Sequence, residues 1–224
     1  MAFFLLDFIF PKICLICDAR KGFICSQCLN TLPWPTLKCF RCNRKNPFGV
    51  YCRGCKKDYL PDRIVSRFIY EGKLKDAIHQ YKFEDAYLLS EDFSLALSPI
   101  IKGVDGYNKY ALTYIPLDKR RQRYRGYNQS KILAERLADR LKMTSVDLLE
   151  RKEQRETQVS AKTKTARRKN VKGVFVVKGG ARIPKKIILI DDVVTTGATV
   201  EEATKVLKKA GAREIIVVAL AMGR

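Results

Sequence analysis

All eight cysteines of this 224-residue chain fall between residues 14 and 55, in four Cys-x-x-Cys pairs: Cys14/Cys17, Cys25/Cys28, Cys39/Cys42 and Cys52/Cys55. No other feature constrains the fold as tightly. A two-residue gap lets both thiolates of a knuckle reach one metal ion, and two knuckles complete a tetrahedron. A disulfide framework fits poorly, because residues 3–10 do not read as a secretory leader: the run is short, is interrupted by Asp7 and lacks a basic flank and a small-residue cleavage site. A redox dithiol needs one such pair beside a βαβ unit rather than four in succession. The expectation is a module over 13–57 with two structural zinc ions, each in a closed four-thiolate site. Spacing leaves sequential and cross-braced pairing both open.

Lysine and arginine number 44 against 23 aspartates and glutamates, a net charge of +21. Such an excess points to a polyanionic partner or an anionic substrate; a basic surface kept for solubility is the blander reading. The second half of the cysteine module carries Lys38, Arg41, Arg44, Lys45, Arg53, Lys56 and Lys57, with no acid until Asp58. Phe40, Phe48 and Tyr51 are interleaved. Cations that track a backbone beside rings that stack on bases suit single-stranded nucleic acid, although a zinc ribbon has little else than such rings to form its core. No apolar run approaches the ~20 residues of a membrane span. Residues 1–12 read as a short apolar lead-in helix, no stable membrane insertion is expected, and the expected location is the cytoplasm.

Residues 58–62 read as a linker, since Pro61 disfavours helix, and residues 63–224 as a larger α/β domain. Strands are expected at 64–70, 111–115, 173–177, 187–190 and 215–221. Helices are expected at 74–81, at 87–101, from Gln129 with Asn128 as N-cap, and over a run with Val200, Ala203, Leu207 and Ala210 on one face before Gly211. Met143 reads as mid-helix core and His79, the only histidine, as structural. Strands alternating with helices indicate a parallel sheet, whose ligands bind beyond the carboxyl ends of its strands. Residues 187–199 then stand out: four apolar β-formers, Asp191 and Asp192, Val193 and Val194, and Thr195-Thr196-Gly197-Ala198-Thr199 opening a helix. Amides at a helix start receive phosphate well, and paired acids accept sugar hydroxyls or hold a hydrated Mg²⁺.

That run resembles the phosphoribosyl-diphosphate signature of type I phosphoribosyltransferases. Arg123-Tyr124-Arg125-Gly126-Tyr127-Asn128-Gln129 and the basic stretch within 158–175 resemble two segments of the ComF family, whose members also begin with a cysteine-rich double zinc module. The likeness covers nearly the whole chain. It implies a type I phosphoribosyltransferase-like sheet flanked by helices, and a cytoplasmic role in natural transformation, with single-stranded DNA as partner and DNA-uptake or recombination proteins as candidate partners. By the same resemblance Asp191 and Asp192 are the catalytic acids, holding the ribose hydroxyls partly through Mg²⁺. Residues 193–199 and the pair Lys119 and Arg120 complete the phosphoribosyl-diphosphate site.

Two acid-free basic runs support phosphate chemistry independently. One spans 119–131, after a strand end where a loop is expected, with Lys119, Arg120, Arg121, Arg123, Arg125 and Lys131; the other spans 162–172 with Arg167, Arg168 and Lys169. Each could meet pyrophosphate or the phosphates of DNA. The expected nucleic-acid contacts are Arg41, Arg44, Lys45, Arg53, Lys56, Arg121, Arg123, Arg125, Arg167, Arg168 and Lys169. In such transferases a hood segment selects the attacking base; here the cysteine module takes that place and the sequence nominates no nucleobase pocket. A working base-salvage transferase and a phosphoribosyl-diphosphate-sensing regulator remain as alternatives.

Overall fold

The computed structural model describes residues 12–46, 48–83, 86–152 and 171–223. The expected lead-in helix and the contacts expected of Arg167, Arg168 and Lys169 lie outside the described residues, apart from Lys12. A short helix α1 (Ser26–Thr31) belongs to the cysteine module. Then follow β1 (Arg63–Ile69), α2 (Gly72–Phe83), α3 (Ala86–Lys102), β2 (Ala111–Tyr114), α4 (Lys119–Arg125), α5 (Gln129–Leu141), β3 (Leu149–Arg151), β4 (Phe175–Val177), β5 (Lys186–Val194), α6 (Ala198–Lys209) and β6 (Glu214–Met222).

Four strands form a parallel sheet in the order β1-β6-β5-β2. β5 and β6 are apolar throughout their middles because each is covered on both faces. Ile188 and Ile190 face the core built with α2, α3 and α5, while Ile187 and Leu189 face the core built with α6. The cysteine module divides between these cores: Cys14 and Ile24 join the first, Cys39 and Tyr51 the second.

Specific bonds seat each half. Arg67 of β1, 5% exposed, donates to the carbonyls of Leu29 and Leu32 and lies 4.2 Å above the Trp34 ring. The Ile24 amide donates to Asp92 on α3 at 2.8 Å. On the other side the Ile64 amide donates to the Gly49 carbonyl at 2.8 Å. Gly49 has φ of +65°, and a Cβ there would stand 2.3 Å from the Ile64 oxygen, so only glycine permits that approach.

Asn128 caps α5 as expected, accepting from the Ser130 and Lys131 amides, and it donates to the Ile115 carbonyl, which ties the helix to the end of β2. Several expectations are corrected. Residues 119–125 are helical rather than a loop, with the Asp118 side chain accepting from the Arg120 amide at 3.0 Å. The strand near 173–177 shrinks to β4, which pairs antiparallel with β3 outside the main sheet, so it is no part of the parallel array. β5 does not stop at Ile190: Asp191 still pairs with Ala219 across the ladder. Met143 lies beyond the helix, which ends at Lys142 with φ of +55°, and Ala210 is exposed instead of joining the apolar face of α6. The segment 58–62 is tied to β6, where Asp62 exchanges bonds with Ile215 at 2.8 and 2.9 Å.

Candidate functional site

The sulfurs of Cys14, Cys17, Cys25 and Cys28 lie within 4.8 Å of one another, as do those of Cys39, Cys42, Cys52 and Cys55. The pairing is therefore sequential, and the cross-braced alternative falls. Sulfur separations of 3.7 Å for Cys17–Cys25, 3.4 Å for Cys42–Cys52 and 3.7 Å for Cys39–Cys52 match the roughly 3.8 Å edge of a tetrahedron with Zn–S bonds of about 2.3 Å. They are far from a disulfide bond of about 2.05 Å. Burial pushes the Cys14 thiol up, but amide donors from Cys25, Cys17 and Ile16 outweigh it and hold the group at about 7. The same opposition, with amides of Cys42, Cys52 and Arg41, brings Cys39 to about 6. Burial and the neighbouring sulfurs push Cys28 up, and neighbouring sulfurs push Cys52 and Cys55 up, so four thiolates can share either cluster only around a cation, which structural zinc supplies.

The two acids sit at the carboxyl end of β5, both buried. Asp191 is pushed up to about 8 by burial and by the neighbouring Asp192 charge, against the Asp192 amide, Lys82 and the Ser130 hydroxyl. Asp192 Oδ2 meets Lys82 Nζ at 3.1 Å and accepts from Gln129 Nε2 at 2.6 Å. The Ser130 hydroxyl donates to Asp191 Oδ1 at 3.4 Å. Gln129 also accepts from Arg125 at 3.2 Å, and Arg125 lies 4.4 Å above the Phe83 ring. The acid pair is thus already partnered by α2 and α5. Lys82 escaped sequence reasoning because a lone lysine on a helix carries no motif; Gln129 lay inside the stretch that suggested the ComF family.

Asp191 and residues 193–200 line a hollow of about 30 Å³, about one water in size. Gly197 (φ +74°) opens α6, and Phe40 of the second zinc cluster packs on it, 3.1 Å from where a Cβ would stand. Beyond Phe40 lies a larger chamber of about 770 Å³, between the second cluster and the ends of β1, β5 and β6. Thr195 and Thr196 line both spaces.

The interleaved rings take three different roles. Tyr51 is buried and donates to Glu201 Oε1 at 2.9 Å, Phe40 is half-buried in the chamber wall, and Phe48 is 66% exposed. Arg41 is drawn into the same junction, 3.2 Å from Glu201 Oε2, and Lys56 pairs with Asp62 at 3.1 Å. Arg44, Lys45 and Arg53 are exposed on the module. On α4, residues 119–124 are all exposed, with Tyr124 at 83%, while Arg125 turns inward. His79 is exposed on α2, its ring centroid 4.6 Å from that of Phe83.

Residues 128–224 match the phosphoribosyl transferase domain family, and residues 5–56 match the double zinc ribbon domain. Competence protein ComFC of Streptococcus pneumoniae is 33% identical over 196 residues, 86% of this chain and 84% of that protein. Competence protein ComFC of Bacillus subtilis is 30% identical over 226 residues, covering 89% and 90% of the two chains. DNA utilization protein YhgH of Escherichia coli K12 is 28% identical over 218 residues, covering 92% and 94%. A solved adenine phosphoribosyltransferase from Leishmania tarentolae covers 66% of this chain and 74% of that one, at 14% identity and a TM-score of 0.37. No described helix is long and apolar enough to cross a membrane.

Proposed function

The chain belongs to the ComF family of competence proteins, and from that premise we propose that it binds single-stranded DNA in the cytoplasm during uptake for transformation, and binds phosphoribosyl diphosphate in its transferase-like domain. The observation that carries the DNA reading is α4: exposed Arg121 and Arg123 stand beside a Tyr124 ring that is 83% exposed, while Lys119 and Arg120, expected at the diphosphate, are exposed at the start of the same helix. Exposed cations beside an exposed ring are what a strand of stacked bases and phosphates requires. Arg44, Lys45, Arg53 and the Phe48 ring repeat the combination on the zinc module. DNA-uptake or recombination proteins are the partners this role calls for.

The phosphoribosyl-diphosphate reading is supported by the order of groups around β5. The Asp191–Asp192 pair would receive the ribose hydroxyls by exchange for Gln129 and Lys82, and residues 195–199 would take the 5-phosphate at the start of α6. Mg²⁺, when bound, would add a divalent positive charge beside the diphosphate.

Affinity for a labelled oligothymidylate, measured against salt, should fall by ~0.7 log unit per log unit of salt for each phosphate neutralised; a flat response removes the DNA reading. Phosphoribosyl diphosphate should bind more tightly with Mg²⁺ than without, and Asp191→Ala/Asp192→Ala should lose that binding. Unchanged binding by the double variant removes the ligand reading.

A further inference from the structure

The 770 Å³ chamber is larger than the phosphate hollow requires and lies within the range of about 300–1,000 Å³ usual for small-molecule sites. Its wall has two chemistries. Phe40, Ile69 and Met222 give it apolar lining, while Lys38, Arg41, Lys45 and Asn43 give it cations and an amide; among the described residues no carboxylate lines it. Arg41 is engaged by Glu201. Lys38 and Lys45 pair across an antiparallel bridge. Like charges opposite one another on paired strands are unfavourable, so this wall of the chamber favours an anionic ligand over a neutral one. At its inner end the chamber reaches Thr195 and Thr196, which also line the hollow of the phosphate loop.

From these walls we infer that the second zinc ribbon and the ends of β1, β5 and β6 together form a binding site for a nucleoside 5′-phosphate, its base against Phe40 and its phosphate at Thr195 and Thr196. The inference rests on the phosphate role proposed above for residues 195–199. A free phosphate would leave the apolar lining uncovered, and an uncharged aromatic molecule would bring no anion to a chamber lined by cations. A nucleotide satisfies both. The zinc ions then serve the site at one remove: Cys39 and Cys42 bracket Phe40 and Arg41, so metal binding fixes where the ring stands.

Binding titrations on the full-length, zinc-loaded protein test this with the common nucleoside 5′-monophosphates, the free nucleosides and ribose 5-phosphate as probes. The expected result is that at least one nucleotide binds about tenfold or more tightly than ribose 5-phosphate, the usual scale of base–aromatic stacking. Phe40→Leu should erase most of that preference and Phe40→Tyr should keep it. Equal affinity for nucleotides and ribose 5-phosphate overturns the site, as does a Phe40→Leu protein that retains two zinc ions and the full preference. Failure of ribose 5-phosphate to bind, while nucleosides bind in a Phe40-dependent way, would instead retire the phosphate role of residues 195–199 and uphold the base site. A 5′-phosphorylated oligothymidylate distinguishes the sources: displacement of bound thymidine 5′-monophosphate by it, and not by its 5′-hydroxyl twin, assigns the site to strand ends, and no displacement assigns it to free nucleotides.

Discussion

Lys82 Nζ, near the end of α2, lies 3.1 Å from Asp192 Oδ2 at the carboxyl end of β5, and both side chains are largely buried, 18% and 9% exposed. The lysine is the cation that allows two adjacent carboxyl groups to sit inside the domain. Breaking a buried pair from one side leaves the other charge uncompensated, at a cost of roughly 3 kcal/mol. Lys82→Met should therefore lower the urea midpoint by that equivalent, and Lys82→Met combined with Asp192→Asn should recover much of it. A single variant as stable as wild type would show that the acids are neutralised otherwise.

Tyr51 and Arg41 both reach Glu201 on α6, at 2.9 and 3.2 Å. A hydrogen bond to a charged acceptor contributes about 1.5–3 kcal/mol. Tyr51→Phe should cost about that much in thermal or urea unfolding. Arg41→Ala should act the same way, loosening the second zinc ribbon from α6, with a smaller change in the salt dependence of DNA binding than Arg44→Ala or Arg53→Ala produces.

Each cluster is complete within its own half of the module. Metal analysis should find two zinc ions per chain, and Cys17→Ser/Cys28→Ser should leave one. A protein with the pairing crossed would lose both ions to that double change. Because Cys14 and Cys39 are buried members of the two cores, chelation should also lower the melting temperature of the whole chain rather than of the module alone.

Asp62 accepts from the Ile215 amide at 2.9 Å and pairs with Lys208 at 3.0 Å and Lys56 at 3.1 Å. Burial raises its carboxyl, but these donors outweigh burial and hold it below the usual range. The unfolded chain takes up the proton first as pH falls. The contribution is thus full above about pH 4 and is lost as pH drops through the lower folded value. Asp62→Asn should cost about 1 kcal/mol near neutrality and almost nothing in strong acid, which flattens the acid limb of stability against pH.

Thr204 is buried in α6 with no hydrogen-bond partner for its hydroxyl among the described residues. Valine keeps the shape and removes the stranded polar group. Thr204→Val should stabilise the protein by about 1 kcal/mol, visible as a rise of a few degrees in melting temperature.

What local pattern encodes, the sequence carried by itself. The spacing of cysteines fixed the ligands of two metal sites, apolar runs fixed β1, β2, β5 and β6, and Asn128 announced the start of α5. Those signals arise within a few residues of one another, where backbone geometry leaves few choices. The short β3–β4 pair was not legible in that way, because three-residue strands have no periodicity of their own and form only where a partner is present.

Tertiary structure alone decided the rest. Four identical knuckles cannot say which pairs with which; the folded positions of the sulfurs settle it, and each complete cluster contributes to a different core. Phe40, Phe48 and Tyr51 look alike in sequence, yet one lines a chamber, one is exposed and one is buried against Glu201. Arg41 reads as a free cation until a glutamate 160 residues away claims it. Lys82 becomes part of the acid site only because α2 ends beside β5. In each case the deciding partner is distant along the chain, and charge or aromatic character names what a side chain can do but not which neighbour the fold will bring to it.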